Sequence, residues 1–355
     1  MPAQTNPAAG HPAASSHDTR AAGAAAAVPS PSAGTGAPAA AASRAAVPRT
    51  LPLAAVQAPP RLIGEPLAGF AEELAEITSE NPEVRLVVYP ELHLFGDEEP
   101  AARRNQTLLE SAQPIDGQLV KELGEMAGDL KIWLVPGSIC ELSRDGELFN
   151  TALAFSPEGK LAASYRKIFP WRPSEPYVPG NEFVVFDMDG VGRIGLSICY
   201  DAWFPEHSRQ LAWLGAEAIL NVVKTTTADR QQELVLARAN AIVNQTFMVS
   251  VNCAGPVGMG KSLIVDPEGL VRTEAFSENP VVLLDTLDLG HVDRVRRFGT
   301  AGLNRMWSQY GPDDRTVELP MYAGRIDPST WEARTRDSRA WDSGDPESQA
   351  PELRT

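Results

Sequence analysis

Gly195-Leu196-Ser197-Ile198-Cys199-Tyr200-Asp201-Ala202-Trp203-Phe204-Pro205-Glu206 is an apolar run that ends on a cysteine and restarts at a proline. Read locally, it is a buried strand running into a helix, with Pro205 suited to the helix's first turn and Gly215 to its end. Cys199 stands at the junction. A free cysteine is by default a small buried hydrophobe, so this stretch alone leaves two readings open: packing, or a nucleophile at a strand end.

The same strand-helix alternation runs outward on both sides. Strands are predicted at Leu53–Gln57, Val84–Tyr89, Ile132–Ile139, Arg193–Cys199, Ala218–Val223, Phe247–Asn252, Ser262–Val265 and Val281–Asp288. Helices are predicted at Leu67–Ile77, Leu119–Met126 and Ala228–Asn244, the last with Leu234, Leu236, Ile242 and Val243 as its apolar side. Thr151–Phe155 and Leu161–Tyr165 flank Ser156-Pro157-Glu158-Gly159, a hairpin-type turn. Strands that both alternate with helices and pair through tight turns call for an α/β fold with mixed sheets, each covered by helices on one side. One domain is expected over residues 49–324. Residues 1–48, nearly all Ala, Pro, Ser, Gly and Thr, read as a disordered tail because small side chains bury too little surface to offset ordering entropy. Residues 325–355 read as a polar tail or an arm lying on a partner subunit.

Composition narrows the partners. The net charge of −15 argues against nucleic acid and anionic membranes, both of which call for a basic surface. Three cysteines (Cys140, Cys199 and Cys253) give neither a disulfide framework nor a zinc site, and no histidine pair stands at metal-ligand spacing. No cofactor or metal is expected. With no apolar run long enough to span a bilayer and no signal-like N-terminus, a cytoplasmic protein is the expectation.

Two glycine patterns imitate phosphate sites. Gly190-Val191-Gly192-Arg193-Ile194-Gly195 fits G-x-G-x-x-G, but its glycines precede a strand rather than open a helix. Gly255-Pro256-Val257-Gly258-Met259-Gly260-Lys261-Ser262 fits the P-loop pattern in full. A nucleotide site needs a helix directly afterwards, whereas Leu263-Ile264-Val265 and then Asp266-Pro267-Glu268-Gly269 spell a strand and a turn. A P-loop protein is therefore the rival reading from another class, and it predicts a helix after Ser262.

Three predicted strands end on chemistry: Val87-Val88-Tyr89-Pro90-Glu91 on a carboxylate, Ser164-Tyr165-Arg166-Lys167 on an amine, and Gly195–Cys199 on a thiol. A carboxylate in a closed pocket can take the thiol proton and return it to a leaving amine. An ammonium can stabilise the thiolate and then an oxyanion, and a backbone N–H after the cysteine adds a second donor. Thiol, carboxylate and ammonium together form an acyl-transfer set that needs no histidine.

These motifs, in this order, resemble the nitrilase superfamily of carbon-nitrogen hydrolases over roughly residues 51–300. Ala54-Ala55-Val56-Gln57, Tyr89-Pro90-Glu91, Phe149-Asn150-Thr151-Ala152, Tyr165-Arg166-Lys167 and Ile198-Cys199-Tyr200-Asp201 carry the likeness, followed by Arg238-Ala239-Asn240 and Gly260-Lys261-Ser262. The resemblance implies a four-layer αββα sandwich whose subunits pair through outer helices into a homodimer or larger homo-oligomer. It implies Glu91 as general base, Lys167 as oxyanion-stabilising lysine, Cys199 as nucleophile, and Glu175 as the glutamate that positions lysine and substrate. The Tyr200 N–H is the implied second oxyanion donor; Trp171, Tyr177 and Trp203 stand as pocket aromatics or core residues. Tyr200-Asp201 looks like amidase members, where true nitrilases place Trp-Glu, and apolar Ala202-Trp203-Phe204 favours an uncharged amide. The expected reaction is hydrolysis of a small carboxamide to acid and ammonia through a thioester. N-carbamoyl hydrolysis, and then nitrile hydrolysis, are the alternatives.

Overall fold

The computed structural model describes residues 48–97, 101–327, 330, 331 and 333, so the expected N-terminal tail and most of the C-terminal segment lie outside the described residues. In chain order the elements begin β1 (Thr50–Gln57), α1 (Ala68–Glu80), β2 (Leu86–Val88), α2 (Ala101–Ser111), α3 (Gln118–Leu130), β3 (Trp133–Val135) and β4 (Ser138–Leu142). β5 (Leu148–Phe155), β6 (Leu161–Arg166), β7 (Val185–Met188), β8 (Gly192–Ile198), α4 (Pro205–Trp213), β9 (Ala218–Val223) and α5 (Arg230–Asn244) follow. The series closes with β10 (Phe247–Asn252), β11 (Leu263–Val265), β12 (Val271–Glu274), β13 (Val281–Asp288), α6 (Leu289–Phe298), β14 (Val317–Leu319) and β15 (Gly324–Ile326).

The first sheet runs β13-β1-β2-β3-β5-β4 with β6 added on β5, and the second runs β12-β11-β10-β9-β8-β7. Each has a parallel centre, β1-β2-β3 and β8-β9-β10, flanked by antiparallel strands. Alternation along the strands builds the layers. Leu53, Ala55, Leu86 and Val88 of the first sheet join Leu196, Ile198, Leu220 and Val222 of the second in one core between the sheets. The intervening residues Ala54, Val56 and Val87 face the other way, onto Phe70 and Leu74 of α1 and Leu123 of α3. On the second sheet, Ile219 and Met248 pack on Leu211 of α4 and on Ala237 and Ala241 of α5. The result is the αββα sandwich. A one-residue slip of β1 would present the small Ala54 to the inter-sheet core in place of Leu53 and so empty it.

Three details differ from the sequence reading. The extended run predicted at Ile132–Ile139 is two strands, broken by Pro136-Gly137. Gly137 has φ +90°, and a Cβ there would lie 1.8 Å from the Pro90 carbonyl, so only glycine lets β4 pass the loop that leads to Glu91. The buried face of α5 agrees only in part with the one predicted: Leu234 packs against the core and Leu236 is half-buried. Arg230, Glu233, Ala237, Asn240, Ala241 and Asn244 are inward, while Ile242 and Val243 are exposed. Small and hydrogen-bonding side chains face inward because α5 lies close to the loop after β8, where Asn240 Nδ2 donates to the Ala202 carbonyl at 2.9 Å. α2, β7, β12, α6, β14 and β15 had no prediction, although Leu289, Val292 and Val295 form an apolar row that α6 buries.

Both glycine motifs are turns. Gly190 (φ +73°) closes the β7–β8 hairpin. Ser262 leads into strand β11, donates its N–H to Gln57 Oε1 at 2.9 Å and accepts the Asn252 N–H on Oγ. The helix that a P-loop requires is a strand here, which overturns the nucleotide-binding alternative. Part of the C-terminal segment lies on its own chain: Trp213 Nε1 donates to the Thr330 carbonyl at 2.8 Å and Trp331 Nε1 to the Met306 carbonyl at 2.9 Å. Among the described residues no helix is long and apolar enough to cross a membrane.

His93, on the turn after Glu91, is fully buried among Phe70 and Tyr89 with neither ring nitrogen hydrogen-bonded. Burial, with Arg61 and Lys224 adding to it, pushes its pKa down from 6.5 to about 3. The folded chain thus binds fewer protons than the unfolded chain below pH 6.5, and stability is lost as pH falls toward 3. Denaturant unfolding should show His93→Phe losing about 2 kcal/mol less than the parent between pH 7 and pH 5. Equal losses in the two proteins would show that His93 does not set this slope.

Candidate active site

The carboxyl ends of the parallel strands point to one end of the sandwich, where side chains from both sheets meet. Glu91 stands on the turn after β2, Lys167 follows β6, and Cys199 follows β8. Lys167 Nζ donates to Glu91 Oε1 at 3.0 Å and to Glu175 at 2.8 Å (Oε1) and 3.0 Å (Oε2). The Lys167 and Glu91 side chains are 0% and 2% exposed, Glu175 19%. Asn150 Nδ2 donates a second bond to Glu91 Oε1 at 2.7 Å, and the Asn150 carbonyl accepts the Lys167 N–H at 2.9 Å. Asn150 therefore fixes the acid and the amine to each other. Its motif was legible in the sequence, but its role was not.

The Tyr165-Arg166-Lys167 segment is pinned on both sides. Arg166 turns outward to a two-pronged bond with Glu141. Tyr165 turns inward, where its hydroxyl donates to Asp201 Oδ2 at 2.7 Å and lies 2.7 Å from His207 Nε2. Asp201 also accepts the Ile198 N–H at 2.9 Å and the Phe169 N–H at 3.0 Å. Asp201, two residues after the thiol, thus ties the lysine segment to the cysteine turn across the two sheets. The amidase-like Tyr200-Asp201 pair reflects this brace: the carboxylate serves the protein's own loops.

Cys199 adopts φ +46°, a left-handed conformation that non-glycine residues avoid. It opens a short 3₁₀ turn, Cys199–Trp203, in which the N–H of Tyr200 is too early to find a partner within the turn. Asn221 Nδ2 reaches the Cys199 carbonyl at 3.5 Å. Burial pushes the thiol well above its ordinary range, the charge of Glu91 adds to this, and Lys167 opposes it. Cys199 is accordingly a thiol at rest, and ionising it calls for a base. The sequence reading gave the lysine a thiolate-stabilising part, but in the resting site burial and the carboxylates outweigh it. On Lys167, burial disfavours the charge, but Glu91, Cys199 and Glu175 overcome it and hold the ammonium well above its usual range. Burial raises the Glu175 carboxyl, against the pull of Lys167.

Glu91 and Glu175 line a cavity of about 530 Å³, together with Trp171, Tyr177, Lys224 and Arg104. Trp171 is 45% exposed, and its loop is held by Glu175, which accepts the Trp171 N–H at 2.9 Å. Tyr200 and Trp203 pack on one another, and Phe204 stacks on Phe169 with centroids 3.8 Å apart. Cys140 and Cys253 are buried, Cys140 with its sulfur 3.3 Å from the Tyr177 hydroxyl. Outside the cavity lining, Asp266, Glu268 and His291 come together with their ligand-type atoms within 4.8 Å of one another, a grouping that sequence spacing did not reveal.

The Carbon-nitrogen hydrolase family model matches residues 52–297. The chain belongs to this family. It is 32% identical over 206 residues to a formamidase of Pseudomonas syringae pv. tomato, an alignment covering 57% of this chain and 59% of the formamidase, so the chain spans less than two thirds of that relative. It is 33% identical over 205 residues to omega-amidase NIT2 of Homo sapiens, covering 53% of this chain and 73% of the relative. Among solved structures it is similar to Saccharomyces cerevisiae Nit3, a member of the nitrilase superfamily, with TM-score 0.63 and 27% identity over 70% of this chain and 94% of that one.

Proposed function

We propose that this carbon-nitrogen hydrolase is a cysteine-dependent amidase acting on small carboxamides. The observation that carries the reading is the buried Glu91–Lys167–Glu175 cluster, which borders a cavity and acts electrically on a thiol held at positive φ. Cys199 attacks the amide carbonyl while its proton passes to Glu91. Charge develops on the carbonyl oxygen, where the Lys167 ammonium and the Tyr200 N–H stabilise it; one such donor is typically worth about 3–4 kcal/mol of barrier. Glu91 returns the proton to nitrogen, the C–N bond breaks, and ammonia leaves a thioester on Cys199. Water, deprotonated by Glu91, attacks that thioester and releases the acid with a restored thiol. Glu175 holds the ammonium in place throughout.

One observation favours a second substrate class. The apolar segment Ala202-Trp203-Phe204 packs into the fold, whereas Lys224, on the cavity wall, has only the Phe95 carbonyl at 3.4 Å as a described polar partner. A cation so placed suits a substrate that bears a carboxylate, such as an N-carbamoyl amino acid. Ammonia release should be assayed from propionamide, N-carbamoyl amino acids and nitriles, with the parent and with Lys224→Met. Carboxamide turnover above nitrile turnover supports the amidase reading. No ammonia from any amide, or a preference for nitriles, ends it. Lys224→Met should lower kcat/KM about tenfold more for a carboxylate-bearing substrate than for a neutral one, because hydrogen bonds to charged groups contribute about 1.5–3 kcal/mol.

A further inference from the structure

Glu91 and Lys167 approach Cys199 from the first sheet. A second carboxylate approaches from the second sheet through a hydroxyl. Thr225, just beyond β9, has its Oγ1 3.8 Å from Cys199 Sγ, and the same oxygen lies 2.8 Å from both Oε1 and Oε2 of Glu233. Glu233 is held in turn by Arg230 Nη1 at 3.0 Å. Arg230 is 1% exposed, and its other nitrogens donate to the Gly260 and Lys261 carbonyls at 3.1 and 2.9 Å. Asn252 Oδ1 accepts the Thr225 N–H at 2.8 Å, and Asn252 Nδ2 donates to the Thr225 carbonyl at 3.2 Å. The loop carrying Thr225 thus has its backbone as well as its hydroxyl fixed.

A threonine hydroxyl has one proton and two lone pairs, and an ionised carboxylate only accepts. With two carboxylate oxygens at 2.8 Å, the Thr225 proton goes to Glu233, and a lone pair of Oγ1 is left facing the sulfur. We propose that Thr225, oriented by Glu233 and Arg230, accepts the S–H of Cys199 and keeps the nucleophile a thiol until a substrate carbonyl is in place. The proton then leaves for Glu91 as the C–S bond forms, and Thr225 itself does not ionise. Thr225 touches the reacting atom; Glu233 and Arg230 are positioning residues. The charged groups acting on the sulfur are Glu91, Lys167 and Glu175 on one side and Glu233 and Arg230 on the other, and Glu233 works with burial and Glu91 to hold the thiol form. This inference rests on Cys199 being the nucleophile of the proposed amidase.

Its test reads the thiol directly. The rate of Cys199 modification by a dithiodipyridine is followed against pH in the full chain, with the modified peptide identified by mass. Thr225→Val removes the acceptor, so the midpoint should fall by about one pH unit, the scale on which a single close partner moves a buried group. Thr225→Ser should restore the parent midpoint. Glu233→Gln removes both the acceptor-only partner and a charge that favours the thiol, so its midpoint should also fall; Thr225→Ala, which removes the hydroxyl and leaves that charge, carries the test if Thr225→Val does not fold. An unchanged midpoint in the folded variants overturns the proposal, and a raised midpoint in Thr225→Val overturns it in favour of a hydroxyl that donates to the thiolate. Cys199→Ala separates this from the amidase reading. If amide turnover survives it, the nucleophile assignment fails, whereas lost turnover with an unmoved Thr225→Val midpoint condemns the thiol-holding role alone.

Discussion

Lys167→Met should lower the free energy of unfolding by about 3–5 kcal/mol at neutral pH, the usual cost of breaking a buried ion pair, and should abolish amide turnover. Lys167 is the only cation in direct contact with Glu91 and Glu175 among the described residues, and all three side chains are largely buried. Methionine matches the lysine stem in volume, so packing is nearly conserved and the loss is electrostatic. Two carboxylates then face each other without a cation, and both proton affinities rise above those of the unfolded chain. The sign follows from linkage. A carboxyl whose folded pKa is raised makes the folded state bind more protons, so the variant is most stable at low pH and loses stability as pH rises. The deficit against the parent should therefore shrink between pH 7 and pH 5. Denaturant titrations at the two values check it; a deficit independent of pH would falsify the electrostatic account. In the proposed mechanism turnover fails for a separate reason, since the oxyanion loses the donor that Glu91 and Glu175 hold in place.

The parts of this site visible in the sequence are those set by strand ends. Glu91 and Cys199 each follow an apolar run, Lys167 follows the second strand of a hairpin marked by its turn, and such strand ends are legible from local pattern. Residues whose work depends on a partner distant in the chain or on which face of a helix turns inward were not legible. Asn150 lies within a fully buried strand, and a polar amide among Leu148, Phe149 and Ala152 was the available signal, since a buried amide must find partners. Glu233 was hidden by the large apolar residues of α5, which suggested the opposite face. In the fold Ile242 and Val243 are left outside, because the inner face carries an ion pair and close backbone contacts instead. The P-loop match shows the converse. Its residue types are right, but the strand after Ser262 gives no helix N-terminus to hold a phosphate.

Glu91→Gln and Cys199→Ala should both remove ammonia release, for different reasons that one pair of measurements separates. Glutamine keeps the size of Glu91 and can still accept the Asn150 and Lys167 hydrogen bonds, but it cannot take the thiol proton. General-base loss costs about 10²–10⁴ in kcat, and the upper end is expected here because the thiol is held well above its ordinary range and supplies little thiolate unaided. Cys199→Ala removes the proposed nucleophile, and turnover should drop to background. The variants then divide on reactivity: Glu91→Gln keeps a thiol that a dithiodipyridine modifies, and its midpoint moves down because a negative charge beside the sulfur is gone. Cys199→Ala has no thiol there. The two also divide on stability. Alanine removes no hydrogen bond essential to the fold, so its Tm should stay near that of the parent, whereas glutamine leaves Lys167 with Glu175 as its only ionised contact and should lower Tm. A Glu91→Gln protein that turns over amides at the parent rate would move the base role to another carboxylate, and Glu175, already raised by burial and 2.8 Å from the lysine, would be the one to replace next.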